Sequence, residues 1–265
     1  MFKTIFRKTC YEKRWTILAW AFGIFSMTFF TMIFFPYLKN MGFDQVTANV
    51  PKSLQGLLGD SSSYKVVVGY VDQQIFALRL PMITMIMTIS LFVGISVGDE
   101  DRGTLETLLA LPVSRSKAFW QKYAAGAALS GAACVAIYLG VVLSFPIIHG
   151  SMSYFALAQA TFACWLISLV FGTLAYSFGA ATGKRGLTIG LASAIAFLSY
   201  LISSMAPAVD KLEVAQKFTP FYYYNVPSVA QHGLKLSNLA VLIGGIIIML
   251  LIGLAFFRKR DLVRD

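Results

Sequence analysis

Acidic side chains are scarce in this 265-residue chain, and none of the twelve falls within its long apolar runs. They are Glu12, Asp44, Asp60, Asp72, Asp99, Glu100, Asp101, Glu106, Asp210, Glu213, Asp261 and Asp265. A proton-driven carrier generally needs an ionisable group inside the membrane, where such a group is costly and is kept for function. The nearest candidate is Arg79, one residue before the outer end of the second apolar run, where a long side chain can snorkel to the headgroups. Cysteine is equally sparse. Cys10, Cys134 and Cys164 fall in the N-terminal tail and in two apolar runs, leaving none for an external disulfide, so they read as small buried side chains. A phosphate-binding loop is also missing. Gly179 to Arg185 (GAATGKR) is one residue short between its glycines and places Arg185 where a magnesium-binding Ser or Thr is required. Any ATP-driven step therefore belongs to a separate polypeptide. No internal repeat is evident, which weighs against an inverted-repeat carrier.

What the chain does have is apolar length. Hydrophobic residues make up 57% and charged residues 13%, with a mean hydropathy of +0.71, a membrane composition. Six runs, roughly 15–35, 80–97, 123–145, 154–180, 186–206 and 239–257, are each long enough to cross about 30 Å of hydrocarbon. The expectation is an all-α integral membrane protein, one transmembrane domain over residues 1–265 with six spans. Fifteen of the twenty-two Lys and Arg residues collect on one side of these spans, in the N-terminal tail, residues 98–122, the 184–185 turn and the C-terminal tail. The remaining seven lie mostly in long loops, where the positive-inside bias is weaker. Cytoplasmic N- and C-termini follow, in a cell inner membrane. The net charge of +10 is explained by cations facing anionic lipid, not nucleic acid, because the basic residues are spread over four loops instead of one stripe. The first run lacks a small-residue cleavage site and reads as a retained span, with the chain starting at Met1.

Between the spans the pattern is more varied. Residues 1–14 alternate basic and apolar groups, predicting an interfacial helix that leads into the first span. In the 36–72 loop, Asn49 and Pro51 can start a short helix carrying Leu54, Leu57 and Leu58. Between spans five and six a short helix is expected near 209–217. After it, Phe218, Phe221, Tyr222, Tyr223 and Tyr224 suit the headgroup layer, so this stretch is expected to form short external re-entrant helices. Small residues line the start of the third span, and Gly186, Gly190 and Ala194 recur every four residues in the fifth, the pattern of close helix approach. Gly94, Ser96 and Gly98 match GxSxG. They end an apolar helix, however, and both histidines, His149 and His232, are expected on the opposite face, where neither can act as base to Ser96. Met82, Met85 and Met87 read as core filler in preference to a soft-metal path. If a solute crosses the bundle, Arg79 with the hydroxyls of Thr84, Thr88, Thr188 and Ser193 are the candidate residues of its path.

The segment from Gly98 to Lys122 is the most patterned part of the chain. Asp99, Glu100 and Asp101 place negative charge at a helix N-terminus, and Leu105, Leu108 and Leu109 then share one face until Pro112 stops the helix. Ser114 can cap the helix that follows, which enters the bilayer past Phe119, Trp120 and Tyr123. An amphipathic helix over about 99–111 would lie on the membrane surface. Lipid-surface helices favour Lys and Arg on their polar face, whereas this one opens on three acids.

With six spans and this charged helix between spans two and three, the chain resembles the type 2 ABC-transporter permeases, half-size membrane subunits of bacterial ABC exporters. The resemblance rests on Asp99, Glu100, Asp101, Gly103, Thr104, Leu105, Glu106, Leu108, Leu109, Pro112, Ser114, Arg115 and Lys122, in that order. Asp99 replaces a more usual glutamate, and Arg102 stands where a small or acidic residue is common. The resemblance implies that the helix is a cytoplasmic coupling helix, with Asp99 to Pro112 and Arg115 receiving a separate ATP-binding subunit. Two copies of that subunit would hold ATP and Mg, and this chain would hold no cofactor or metal and perform no catalysis. It further implies pairing with a second permease, identical or homologous, and export of a hydrophobic or amphipathic compound such as a drug, an antibiotic or a lipid-like molecule. The rival readings are an ion-coupled carrier or channel without an ATPase, and an intramembrane hydrolase dependent on Ser96.

Overall fold

The computed structural model describes residues 4–40, 67–77, 79–98, 114–206, 209, 212–224, 229 and 233–260, and among these the secondary structure is helical throughout, with no strand. The helices are α1 (Ile5–Ile33), α2 (Phe35–Asn40), α3 (Val67–Val71), a π-helical turn (Asp72–Phe76), α4 (Arg79–Ser96), α5 (Arg115–Ile148), α6 (Tyr154–Thr182), α7 (Arg185–Met205), α8 (Leu212–Gln216), α9 (Pro220–Tyr224) and α10 (Leu236–Lys259). Six helical stretches are long and apolar enough to cross a membrane: Ile5–Tyr37, Val67–Ser96, Arg115–Ile148, Tyr154–Thr182, Arg185–Met205 and Leu236–Lys259. The expected helices at 51–58 and 99–111 lie outside the described residues.

Three features differ from the sequence expectation. The basic stretch at the start is not a separate interfacial helix. It forms the first turns of the unbroken α1, whose N-cap Thr4 accepts a hydrogen bond from the Arg7 amide. The third span likewise begins earlier, at Arg115, where Ser114 caps as expected by accepting from the Lys117 amide at 3.3 Å. At 1.5 Å per residue the 34 residues of α5 extend about 50 Å, well beyond the hydrocarbon, and its surplus is the charged stretch 115–122. The second span, finally, begins with Val67 and so takes in Asp72, which is 1% exposed. Asp72 therefore falls on the helical stretch of the second span, as Glu12 falls on that of the first, and the expectation that every acid lies outside these helices is corrected at both. Apolar sequence on both sides, VVVGYV before it and IFALRL after it, carries the polar triplet Asp72-Gln73-Gln74 into the fold.

α4 and α6 form the centre of the bundle. Phe92 of α4, fully buried, wedges between two glycines: a Cβ on Gly126 would stand 2.6 Å from its Cε1, and one on Gly172 would stand 2.6 Å from its Cδ2. Small residues therefore let α5 and α6 close on this ring from opposite sides. Tyr123 and Tyr176 complete the contact, with ring centroids 5.4 and 5.8 Å from that of Phe92. Hydroxyls cross the same interface: Thr88 donates to the Ser168 carbonyl at 2.8 Å, and the Tyr123 and Thr173 hydroxyls pair at 2.8 Å. α1 lies along α5, where a Cβ on Gly140 would be 3.1 Å from the Phe25 carbonyl oxygen. α10 packs on α6 with Ser177 donating to the Met249 carbonyl at 2.8 Å. α7 contributes only Thr188, Ala192, Ala196 and Ser199 to the interior.

Candidate functional site

The basic ends of four helices meet at one end of the bundle. Ile5 donates its amide to Gln121 Oε1 at 3.0 Å, placing the start of α1 beside the start of α5. Arg115 donates to the Arg260 carbonyl at 3.0 Å, and Arg258 Nε donates to Ser116 Oγ at 2.9 Å, so the end of α10 is strapped to the same turn of α5. Arg260 in turn donates to the Ala180 carbonyl near the end of α6 at 3.3 Å. Lysine and arginine suit these positions because their donors satisfy carbonyls left open at helix C-termini. Beneath the strap lies an aromatic layer: Phe119 packs against Tyr176, Phe257 and Trp120, and the Tyr176 hydroxyl donates to the Phe119 carbonyl.

This end is also where the chain leaves and re-enters the bundle around residues 99–113. Gly98 closes the described part of the second span, and Ser114 opens α5. Of the residues expected to receive an ATPase, Asp99, Glu100, Asp101, Gly103, Thr104, Leu105, Glu106, Leu108, Leu109 and Pro112 lie outside the described residues, and Arg115 holds the mounting just described. The 183–184 turn joins this end as expected: Gly183 takes a left-handed conformation (φ 63°) that glycine adopts readily, and its amide bonds the Gly179 carbonyl.

The expected path residues do not converge. Thr84 and Thr88 are fully buried and engaged within the chain: Thr84 donates to the Leu80 carbonyl at 2.7 Å and lies 3.6 Å from Cys164 Sγ, and Thr88 bonds across to α6. Thr188 donates back to the Lys184 carbonyl near the basic end, whereas Arg79 and Ser193 are exposed. The GxSxG serine donates to the Val93 carbonyl within a helix, and His149 caps α5 at the opposite end of the bundle. His232 lies outside the described residues. Cys10, Cys134 and Cys164 are free thiols, the last two buried, and no group of metal-ligating side chains occurs among the described residues.

The sequence reading missed a buried polar cluster at the end away from the basic strap. Asp72 and Lys122 are the buried charged side chains among the described residues, and both carboxylate oxygens of Asp72 lack a hydrogen-bond partner there. Tyr70, just before it, donates to the Thr31 carbonyl at 2.7 Å, and Tyr224 donates to the Phe76 carbonyl at 3.1 Å, clasping the π-helical turn that contains Asp72. The Tyr224 hydroxyl also lies near Cys164. Burial pushes the Tyr224 phenol well above its ordinary value, and the nearby Cys164 and Asp72 raise it further. Phe221 and Tyr224 thus turn into the bundle, whereas Phe218 and Tyr222 are exposed. The legible signal was the apolar sequence on both sides of Asp72.

The chain matches the model of the family described as ABC-2 family transporter protein over residues 4–262. The chain belongs to the ABC-2 transporter family. It is a multi-pass membrane permease of the ABC-2 type, a transport component, and membership implies an ABC ATPase subunit as its working partner. No curated protein matches this ABC-2 permease.

Proposed function

We propose that this ABC-2 permease is the membrane half of an ATP-driven exporter, energised by a separate ATP-binding subunit that docks on residues 98–122. The observation that carries this reading is the strap at the basic end. Arg115, Arg258 and Arg260 tie the point where the 99–113 segment re-enters α5 to the ends of α6 and α10, so a push there is delivered to several spans at once. A flexible attachment would dissipate it. On this reading the basic end and both termini face the cytoplasm of an inner membrane. Two ATPase copies bind ATP and Mg, and Arg79, Thr84, Thr88, Thr188 and Ser193 belong to helices that rearrange as the path opens.

The fifth span supports a second permease. Gly186 and Gly190 have open space where a side chain would stand, and Ala194 is exposed, so the small-residue face of α7 is unused within the single chain. A substrate reaching such an interface from the bilayer would be hydrophobic or amphipathic. Purification of the tagged chain should bring down an ABC ATPase, and ATPase stimulation by the permease should be lost in Glu100→Lys and Leu108→Asp. Transport that persists after ATP depletion, with no ATPase in the purified complex, would instead favour an ion-coupled carrier. Asp72 gives that rival an intramembrane acid, so the experiment carries weight.

A further inference from the structure

An isolated carboxylate in an apolar interior costs several kcal/mol unless it is neutralised or paired. Asp72 is 1% exposed, and neither oxygen has a partner among the described residues. It also begins a π-helical turn, a rare geometry that is frequent at functional sites. On the Tyr224 side, a hollow bordered by Tyr224, Ala163, Leu166, Gly233, Lys235 and Asn238 is about 20 Å³, room for roughly one water molecule. The ligand that fits the surroundings of Asp72 is a proton.

We propose that Asp72 is a proton-binding site that locks the end of the bundle away from the basic strap: its carboxyl carries a proton while the Tyr224 clasp on the Phe76 carbonyl is closed, and gives that proton to water when the clasp opens. The Asp72 O–H bond breaks, the electron pair stays on the carboxylate, and water admitted through the hollow beside Tyr224 accepts the proton. The titratable group that interacts with Asp72 across the fold is Tyr224 from α9, which Cys164 from α6 and Cys134 from α5 also approach; Tyr70 stands two residues before Asp72, and Lys235 borders the hollow. Opening is thereby linked to proton release, and closing to proton uptake.

The full chain in lipid nanodiscs, without ATPase or substrate, tests this, so the outcome does not depend on the exporter reading. Difference infrared spectroscopy should show the carbonyl stretch of a protonated carboxylic acid at neutral pH, and Asp72→Asn should abolish that band. A maleimide probe then reads opening through Cys164, in a Cys10→Ser, Cys134→Ala background. Release of one linked proton steepens the opening equilibrium by up to about tenfold per pH step. The labelling rate should therefore rise with pH more steeply than in the same background carrying Asp72→Asn, by as much as that factor, and Tyr224→Phe should speed labelling at low pH. Absence of the infrared band, or the same pH dependence with and without Asp72→Asn, overturns the proposal. The isosteric amide needs no proton to be buried, and the infrared measurement on the unsubstituted chain stands without it.

Discussion

Replacing Gly172 with alanine should destabilise the bundle through a single ring. A Cβ there would meet Phe92 Cδ2 at 2.6 Å and Phe92 Cε2 at 2.9 Å, both closer than a methyl group tolerates, and Thr88 Cβ at a tight 3.1 Å. An aromatic ring on an exposed face would swing away. This one cannot, because a Cβ on Gly126 would already stand 2.6 Å from its other edge and Ile95 Cδ1 is 3.1 Å from the same point. The added methyl must part α4 from α6, straining the Thr88 to Ser168 hydrogen bond, and overpacking of this kind costs about 1–3 kcal/mol. Unfolding can be followed in mixed micelles by the reaction of a thiol-sensitive dye with Cys134 and Cys164, buried at 2% and 0% exposure, in a Cys10→Ser background. The Phe92→Leu variant removes the obstructing ring edge, so Gly172→Ala should cost less in that background, by roughly 0.5–3 kcal/mol, the usual range of coupling between touching residues. A neutral Gly172→Ala, or an equal cost with and without the ring, would refute the wedge.

Further outcomes follow from other contacts. Ser114→Ala removes the cap of α5 and should cost about 1 kcal/mol in the same dye assay, with Ser114→Asp retaining most of the stability. Gly253→Val should separate α10 from α6, because a Cβ at that position already meets Ser177 Oγ at 2.7 Å, and the change should be visible as loss of protection of the α10 amides in hydrogen exchange.

Much of the membrane architecture was legible because hydrocarbon imposes a single strong rule: every backbone polar group must be satisfied within a helix. Long apolar runs therefore announced the six spans, and Ser114 announced the start of α5 by its capping chemistry. The ends of spans were less legible. α1 continues through the basic residues before 15, since a helix persists past the hydrocarbon wherever tertiary contacts such as that between Ile5 and Gln121 support it. Asp72 escaped because hydropathy averages residues and cannot see which neighbours enclose them. Phe221 and Tyr224 escaped for a related reason: aromatic rings serve equally in a headgroup belt and in a packed interior, and contacts across the fold decide between the two.

The two-residue turn of Gly183 and Lys184 has a mechanical consequence. α6, buried over most of its length, is fixed, whereas α7 shares only a few side chains with the interior. Such a short link leaves α7 no freedom to slide, so its low-cost motion is to pivot about its base like a door leaf on one hinge. A displacement of a few ångströms beside Gly183 becomes a larger excursion near Met205, about 30 Å along the helix at 1.5 Å per residue.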